Sequence, residues 1–180
     1  MEMQIRAISP QFDKRIVNYL SDLISKHENK KIIIPHTAGG EHNILLAGEY
    51  AVKYPLEYPS INPCYDKRRL IYEFNIAQNL EKIGLNVPKM FAVCSDEKTL
   101  FLIMKKLHLT PARELNRQQI TEAARQFHYQ INLAKTKGFN PGDTSISTLE
   151  SLESFYNYGF CVENNKGYFF DFSKWVQEVD

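Results

Sequence analysis

The sequence lacks the features that mark disulfide-rich, membrane-embedded and nucleic-acid-binding proteins. Its three cysteines are odd in number and form no Cys-x-x-Cys pair, which favours a reducing compartment. No apolar run approaches the roughly 20 residues of a membrane-spanning helix, and no signal-peptide pattern is present. The net charge is only +1, so the composition offers no basic surface for nucleic acid. We expect a cytoplasmic protein, in a host cytoplasm if a dedicated system secretes it, with no nucleic-acid or membrane partner.

Common hydrolase and metal-site motifs are also missing. No Gly-x-Ser-x-Gly elbow presents a serine nucleophile. His36 and His42 frame the turn at Gly39-Gly40, but no cysteine or carboxylate cluster stands nearby to complete a metal site. The aromatic residues lack interleaved basic residues, so they are typical of a core rather than of a base-stacking platform. Any chemistry must therefore come from residues that are scattered along the chain.

The hydrophobic pattern of the first half predicts helix and strand in alternation. Residues 10–27 carry apolar side chains at helical spacing, and apolar runs at 31–34, 43–46 and 49–54 are separated by turns. This order predicts one helix and then a three-stranded antiparallel meander.

A second helix and a hairpin follow a proline-rich loop. Three prolines between residues 55 and 63 predict the loop, and apolar positions line one face of a helix over 66–83. Gly84 stops that helix, and the apolar runs at 90–94 and 99–104 predict a hairpin.

From about residue 108 the pattern becomes mainly helical. Residues 117–137 predict a long helix, residues 147–155 a short one, and residues 158–170 a last hairpin that ends beside Asp171. No repeat or linker marks independent domains, so we expect one α+β domain over residues 1–180.

Three charged residues stand in unusual surroundings. Lys53 closes a short apolar strand, and Glu73 lies beside the apolar face of the predicted helix. Since an unpaired buried charge is costly, the two would pair if both were buried; the alternatives are a snorkelling surface lysine and an exposed helical carboxylate. Asp171 is a lone carboxylate among aromatic residues, which favours a divalent cation or a capping role.

These residues carry a resemblance to the protein-kinase-like superfamily, over roughly residues 31–175. The matching strings, in order, are Ala51-Val52-Lys53, Tyr72 to Leu80 followed by Val87-Pro88, Phe101 to Leu107, and Asp171-Phe172-Ser173. The resemblance implies a two-lobed fold. Its N-lobe, at about 31–105, would hold a five-stranded antiparallel sheet with one helix, and its reduced, mostly helical C-lobe would span about 108–180.

The resemblance also implies a function, namely phosphate transfer from ATP with Mg²⁺ bound between the lobes. Lys53 would hold the α- and β-phosphates, Glu73 would hold Lys53, and Asp143 would be the catalytic base. Asp171 and Asn157 would bind the metal. The residues implied for ATP are Gly39, Gly40, Lys53, Met104, Lys105 and Leu107.

The sequence departs from the superfamily pattern in the catalytic centre. Gly39-Gly40 replaces three spaced glycines, and no His-x-Asp string has an asparagine five residues on. If Asn157 is the second metal ligand, Leu152 falls where the base is expected. Besides a minimal protein kinase, the pattern therefore allows a catalytically silent pseudokinase that acts as a binding module, or a small-molecule kinase of the aminoglycoside-phosphotransferase type.

Only a short stretch follows Asp171 in this sequence, so we expect no activation segment. Few elements are then predicted to cover the aromatic residues around Trp175, so we expect an exposed apolar patch there. Such a patch would dock a protein substrate, another protein partner, or a second copy in a homodimer.

Overall fold

A computed structural model describes residues 4–8, 15–16, 18–20, 42–55, 63–95, 100–142, 144–146 and 155–178. The chain divides into two compact units. The first comprises Met1–Phe74 and Met90–Lys106, and the second comprises Asn75–Lys89 and Leu107–Asp180. The expectation of a single domain stays a prediction.

The first unit contains a five-stranded antiparallel sheet. Its strands are β1 (Gln4–Ile8), β2 (His42–Ala47), β3 (Tyr50–Pro55), β4 (Met90–Ser95) and β5 (Leu100–Lys105), in the order β1-β4-β5-β3-β2. Four of them lie within a residue of the predicted runs. Strand β1 was not predicted, and the run at 31–34 lies outside the described residues.

One face of this sheet forms an apolar core. Alternate side chains of a strand point to the same face, and those of β2 to β5 bury a continuous layer. Within the predicted helix of residues 10–27, residues 15–16 and 18–20 are described, and they are helical. Leu20 from this segment is fully buried in the layer. The buried members are Leu20, Leu45, Ala47, Val52, Ala92, Cys94, Phe101 and Ile103.

Helix α1 spans Pro63–Lys82. It begins at a proline. Proline suits the first position of a helix because the N–H that it lacks would have no intrahelical partner there. Its end is fixed by Gly84, whose φ of 93° few other residues adopt. The N–H of Leu85 then donates to the carbonyl of Leu80 at 3.0 Å, which satisfies one carbonyl of the last turn.

Helix α2 (Arg117–Thr136) is the longest element of the second unit. Asn116 caps it, since its side-chain oxygen accepts from the N–H of Gln119 at 2.9 Å and its own N–H donates to Gln119 Oε1 at 2.8 Å. A turn of 3-10 helix, Ala112–Glu114, precedes this cap. The buried face of α2 consists of Ala123, Ala124, Phe127, Gln130, Ile131 and Ala134.

Short strands complete the second unit. Strands β9 (Tyr158–Cys161) and β10 (Lys166–Phe169) form an antiparallel hairpin. Two pairs of two-residue strands surround it: β6 (Phe139–Asn140) with β11 (Val176–Gln177), and β7 (Ser145–Ile146) with β8 (Phe155–Tyr156). Apart from Phe155, which begins β8, the helix predicted over 147–155 lies outside the described residues.

The prediction of an exposed apolar patch around Trp175 is wrong. Trp175, Phe169 and Phe172 are all 0% exposed. The chain after Asp171 folds back onto its own unit, because β11 pairs with β6 and Trp175 Nε1 donates to Thr144 Oγ1 at 3.0 Å. The indole also packs edge-on against Phe169, with ring centroids 5.4 Å apart. This face is therefore a core and not a docking surface.

No helix in the described ranges combines the length and apolarity of a membrane span.

Gly167 should be among the least replaceable residues of the hairpin. A Cβ there would overlap with the hydroxyl and ring of Tyr158. That ring cannot move away, because its hydroxyl is buried and donates to the carbonyl of Ala123 at 2.9 Å. We expect Gly167→Ala to lower the free energy of unfolding by about 2–3 kcal/mol, as overpacking does, measured by urea denaturation.

The matched control is Gly159→Ala, on the paired strand. Its Cβ would meet only the end of the flexible Leu109 side chain, namely both methyls and Cγ, which can turn aside. This variant should cost less than about 1 kcal/mol, and equal losses for the two variants would contradict the packing argument.

Candidate active site

A buried ion pair joins the central part of the sheet to helix α1. Lys53 lies on β3, between partners Ile44 on β2 and Leu102 on β5. Its Nζ donates to both carboxylate oxygens of Glu73, at 2.8 and 3.1 Å. Lys53 is 5% exposed and Glu73 1%, so neither is the surface residue that the alternative interpretations required.

Helical spacing explains why Glu73 is buried. Leu70, Phe74 and Ala77 are also buried, and positions three and four apart share one face of a helix. Glu73 falls within that face. Tyr72, one position away, is 37% exposed. The sequence signal was thus a carboxylate in phase with an apolar stripe.

The pair is a poor device for stability alone. Taking two charges out of water costs several kcal/mol each, and the mutual attraction offsets this cost only in good geometry. An apolar pair of similar volume is often as stable or more so. The charges at Lys53 and Glu73 therefore point to a use beyond packing.

The two predicted metal ligands lie together at one end of the β9–β10 hairpin. Asn157 directly precedes β9, and Asp171 follows β10 after Phe170. The N–H of Phe170 donates to the carbonyl of Asn157 at 3.0 Å, which extends the ladder by one pair. Both predicted ligands are half-buried.

Both residues also have left-handed backbones, with φ of 57° at Asn157 and 60° at Asp171. Such values cost most residues about 1–2 kcal/mol, and asparagine and aspartate tolerate them best among residues with a side chain. Strained backbone of this kind clusters at functional sites. Its occurrence on both sides of one hairpin is therefore informative.

The chemistry of the pair fits Mg²⁺ better than a transition metal. Carboxylate and amide oxygens are hard ligands, which Mg²⁺ prefers. Among the described residues no three His, Cys, Asp or Glu side chains come close enough to hold a metal by themselves. Mg²⁺ does not need such a cage, because it is commonly bound by one or two protein ligands, waters and substrate phosphates.

The structure describes only some of the other predicted site residues. Met104 and Leu107 are half-buried and Lys105 is exposed, at the point where the chain passes from the first unit to the second. Just before that point, the N–H of Lys106 donates to the carbonyl of Glu49 at 2.8 Å. Their contact with ATP stays a prediction. Gly39, Gly40 and Asp143 lie outside the described residues.

The neighbours of Asp143 are held by the C-terminal segment, which sequence reasoning missed. Gly142 has φ of 62°, and a Cβ there would collide with the backbone carbonyl of Lys174. On the other side, Thr144 accepts from the indole of Trp175. Only the Pro-Gly pair at 141–142 gave a sequence signal, for a turn.

Cys94, in the first unit, does not suit the role of a nucleophile. Cys94 is fully buried in the core of the sheet. Burial raises the pKa of its thiol to about 12, so that the reactive thiolate is scarce at neutral pH.

Lys53 and Glu73 are thus brought together, and so are Asn157 and Asp171. The two pairs belong to different units. Their convergence on one nucleotide, like the catalytic roles of all four residues, stays a prediction.

No protein-family model matches the sequence, and no curated protein matches it significantly. Solved structures do match. A structure of the bifunctional kinase-methyltransferase WbdD has a TM-score of 0.55 at 15% identity, covering 82% of this chain and 34% of WbdD. The crystal structure of monomeric WbdD has a TM-score of 0.57 at 14% identity, covering 81% and 36%.

A third match is the Rio2 kinase–ADP/Mg²⁺–phosphoaspartate complex from Chaetomium thermophilum. It covers 89% of this chain and 53% of that one at 16% identity, and its TM-score of 0.46 is too low to carry an argument.

The chain spans about a third of the WbdD chains that it matches. Identities this low show the fold and not the activity. The WbdD matches therefore show the fold alone, and the protein has a mixed α/β, kinase-like fold.

Proposed function

We propose that this protein is an ATP- and Mg²⁺-dependent phosphotransferase, a minimal protein kinase with a protein acceptor. The observation that carries the proposal is the buried Lys53–Glu73 pair, with Nζ 2.8 Å from Oε2, in a chain of kinase-like fold. In this proposal the five-stranded sheet and the first part of α1 form the N-lobe, and the second unit forms a reduced C-lobe.

Lys53 acts as a positioned cation. Glu73 fixes the ammonium by two hydrogen bonds, so the charge is in place before a phosphate arrives. In a site that excludes water, such an arrangement costs no reorganisation during the reaction. Phosphoryl transfer needs mainly positioning and charge neutralisation, which is what this pair can supply.

Asp171 and Asn157 hold the metal in this proposal. When bound, Mg²⁺ neutralises the charge on the β- and γ-phosphates. The hairpin presents the two ligands from adjacent positions, and the left-handed backbone at each aims the side chain. Asp143 accepts the proton of the acceptor hydroxyl. Met104, Lys105 and Leu107 contact the adenine, and Gly39-Gly40 covers the phosphates.

The proposed acceptor or docking partner does not use the Trp175 face, because that face is buried. A pseudokinase and a small-molecule kinase are the alternatives, and they differ from the proposal in measurable ways. The pseudokinase binds nucleotide without transferring phosphate, and the small-molecule kinase transfers it without a protein acceptor.

The first test measures nucleotide binding by its effect on the temperature of thermal unfolding, Tm. We expect ATP with Mg²⁺ to raise Tm more than ATP with EDTA, because a ligand that binds only the folded state stabilises it. Asp171→Asn should remove the Mg²⁺-dependent part of the shift. Asparagine is the appropriate replacement because it tolerates the left-handed backbone.

Glu163→Ala is the matched control, since Glu163 is an exposed carboxylate in the turn of the same hairpin. It should keep the full shift. The same Mg²⁺-dependent shift in wild type and Asp171→Asn would overturn the metal assignment. Absence of any shift with ATP would overturn nucleotide binding.

A further inference from the structure

A buried glutamine on helix α2 connects three separate segments of the second unit. Gln130 is 4% exposed. Its Oε1 accepts from the N–H of Asn86, in the connection after α1, at 2.7 Å. Its Nε2 donates to the carbonyl of Gly167, on β10, at 3.3 Å. A buried amide left without partners would be costly, and here both ends of the side chain are used.

The contacts of Gln130 close a ring of hydrogen bonds. The carbonyl of Asn86 accepts from the N–H of Phe169 at 3.0 Å, and Phe169 follows Gly167 by two residues. The ring therefore runs from Gln130 to Asn86, to Phe169, along β10 to Gly167, and back to Gln130. Hydrogen bonds in buried networks of this kind support one another.

One member of this ring, Phe169, lies directly beside the candidate metal ligands in the chain. The residue after Phe169 is Phe170, whose N–H binds the carbonyl of Asn157, and the next residue is Asp171. Left-handed backbones at Asn157 and Asp171 persist only when the surroundings impose them. The ring supplies that constraint, since it fixes β10 up to two residues before Asp171.

We propose that Gln130 is the positioning residue for the metal-binding pair Asn157 and Asp171. It touches neither metal nor nucleotide, and it acts through the backbone of Asn86 and Phe169. This inference rests on the proposed function, because it assigns Gln130 to the same metal site. Loss of a partner that orients a metal ligand typically lowers metal affinity about 10- to 100-fold.

The chain offers a closely matched control. Gln126 lies one turn earlier on α2 and makes two hydrogen bonds to the hairpin, where Gln130 makes one. Its Nε2 donates to the carbonyl of Asn165 at 2.9 Å, and its Oε1 accepts from the N–H of Gly167 at 2.8 Å. Gln126 therefore holds the turn and the same residue of β10 that Gln130 holds, but it makes no bond to Asn86, so it does not close the ring.

The experiment measures how strongly a metal assists nucleotide binding. Fluorescent N-methylanthraniloyl-ATP is titrated in EDTA and in Mg²⁺, and the ratio of the two dissociation constants gives the metal coupling. We expect a ratio well above one for wild type and near one for Asp171→Asn. In Gln130→Met the ratio should fall about tenfold while the dissociation constant in EDTA stays within about twofold.

Gln126→Met should keep the wild-type ratio, at a temperature where circular dichroism shows all variants folded. Equal ratios for Gln130→Met and Gln126→Met would overturn the inference and leave the proposed function standing. Equal ratios for wild type and Asp171→Asn would overturn the metal site and the inference together.

Gln130→Glu is the second variant, in case Gln130→Met does not fold. It keeps the acceptor for Asn86 and loses the donor to Gly167. Its ratio should lie between those of wild type and Asp171→Asn, and a wild-type ratio would count against the proposal.

Discussion

Lys53→Met alone should lower the free energy of unfolding by about 3–5 kcal/mol, because it leaves the buried carboxylate of Glu73 without its partner. Lys53→Met with Glu73→Leu should restore stability to within about 1 kcal/mol of wild type, since an apolar pair of similar volume is often as stable as a buried ion pair. Urea denaturation of wild type, Lys53→Met and the double variant measures this.

Phosphate transfer should not recover when stability does. The double variant is stable but has no cation for the phosphates, so we expect both variants to lose about 10²-fold or more in kcat/KM. The double variant thereby separates the effect of the two charges on stability from their effect on activity. A double variant as unstable as Lys53→Met would contradict the charge argument. A double variant with wild-type transfer would remove Lys53 from the mechanism.

Asp143→Ala should lower kcat by about 10²- to 10⁴-fold, the range that general bases contribute. Its dissociation constant for ATP should stay within about twofold of wild type, because the base contacts the acceptor hydroxyl and not the nucleotide. Transfer of radiolabelled γ-phosphate to a generic protein acceptor and nucleotide titration measure the two quantities.

The comparison with Asp171→Asn makes this result specific. That variant should lose the Mg²⁺ dependence of binding, and Asp143→Ala should keep it. Equal transfer by Asp143→Ala and wild type would show that another residue is the base. Wild-type binding of ATP with no transfer to any acceptor would favour the pseudokinase.

The pairing of Lys53 with Glu73 was within reach of the sequence because Glu73 lies in a long, strongly patterned helix. Glu73 is in phase with Leu70, Phe74 and Ala77, and that phase decides burial. The resemblance then supplied the partner on β3. Periodicity over many residues carries such information.

Strand β1 and the two-residue strands were missed for the opposite reason. The two residues at Val176–Gln177 are too short for a period to register, and the five at Gln4–Ile8 mix polar and apolar side chains without a continuous apolar run. They are strands because a distant partner pairs with them. The error at Trp175 has the same origin, since its burial depends on the non-local pairing of β11 with β6 and on Thr144.

The position of β1 in the sheet has a consequence for synthesis. Gln4 pairs with Ser95, so β1 leaves the ribosome long before the strand that will hold it. At about 5–20 residues per second, the nascent chain waits roughly 5–20 s for that partner. During this time both the first strand and the growing sheet present unpaired backbone groups, which are templates for pairing with other chains. A chaperone that shields the emerging β1 would protect this protein at that stage.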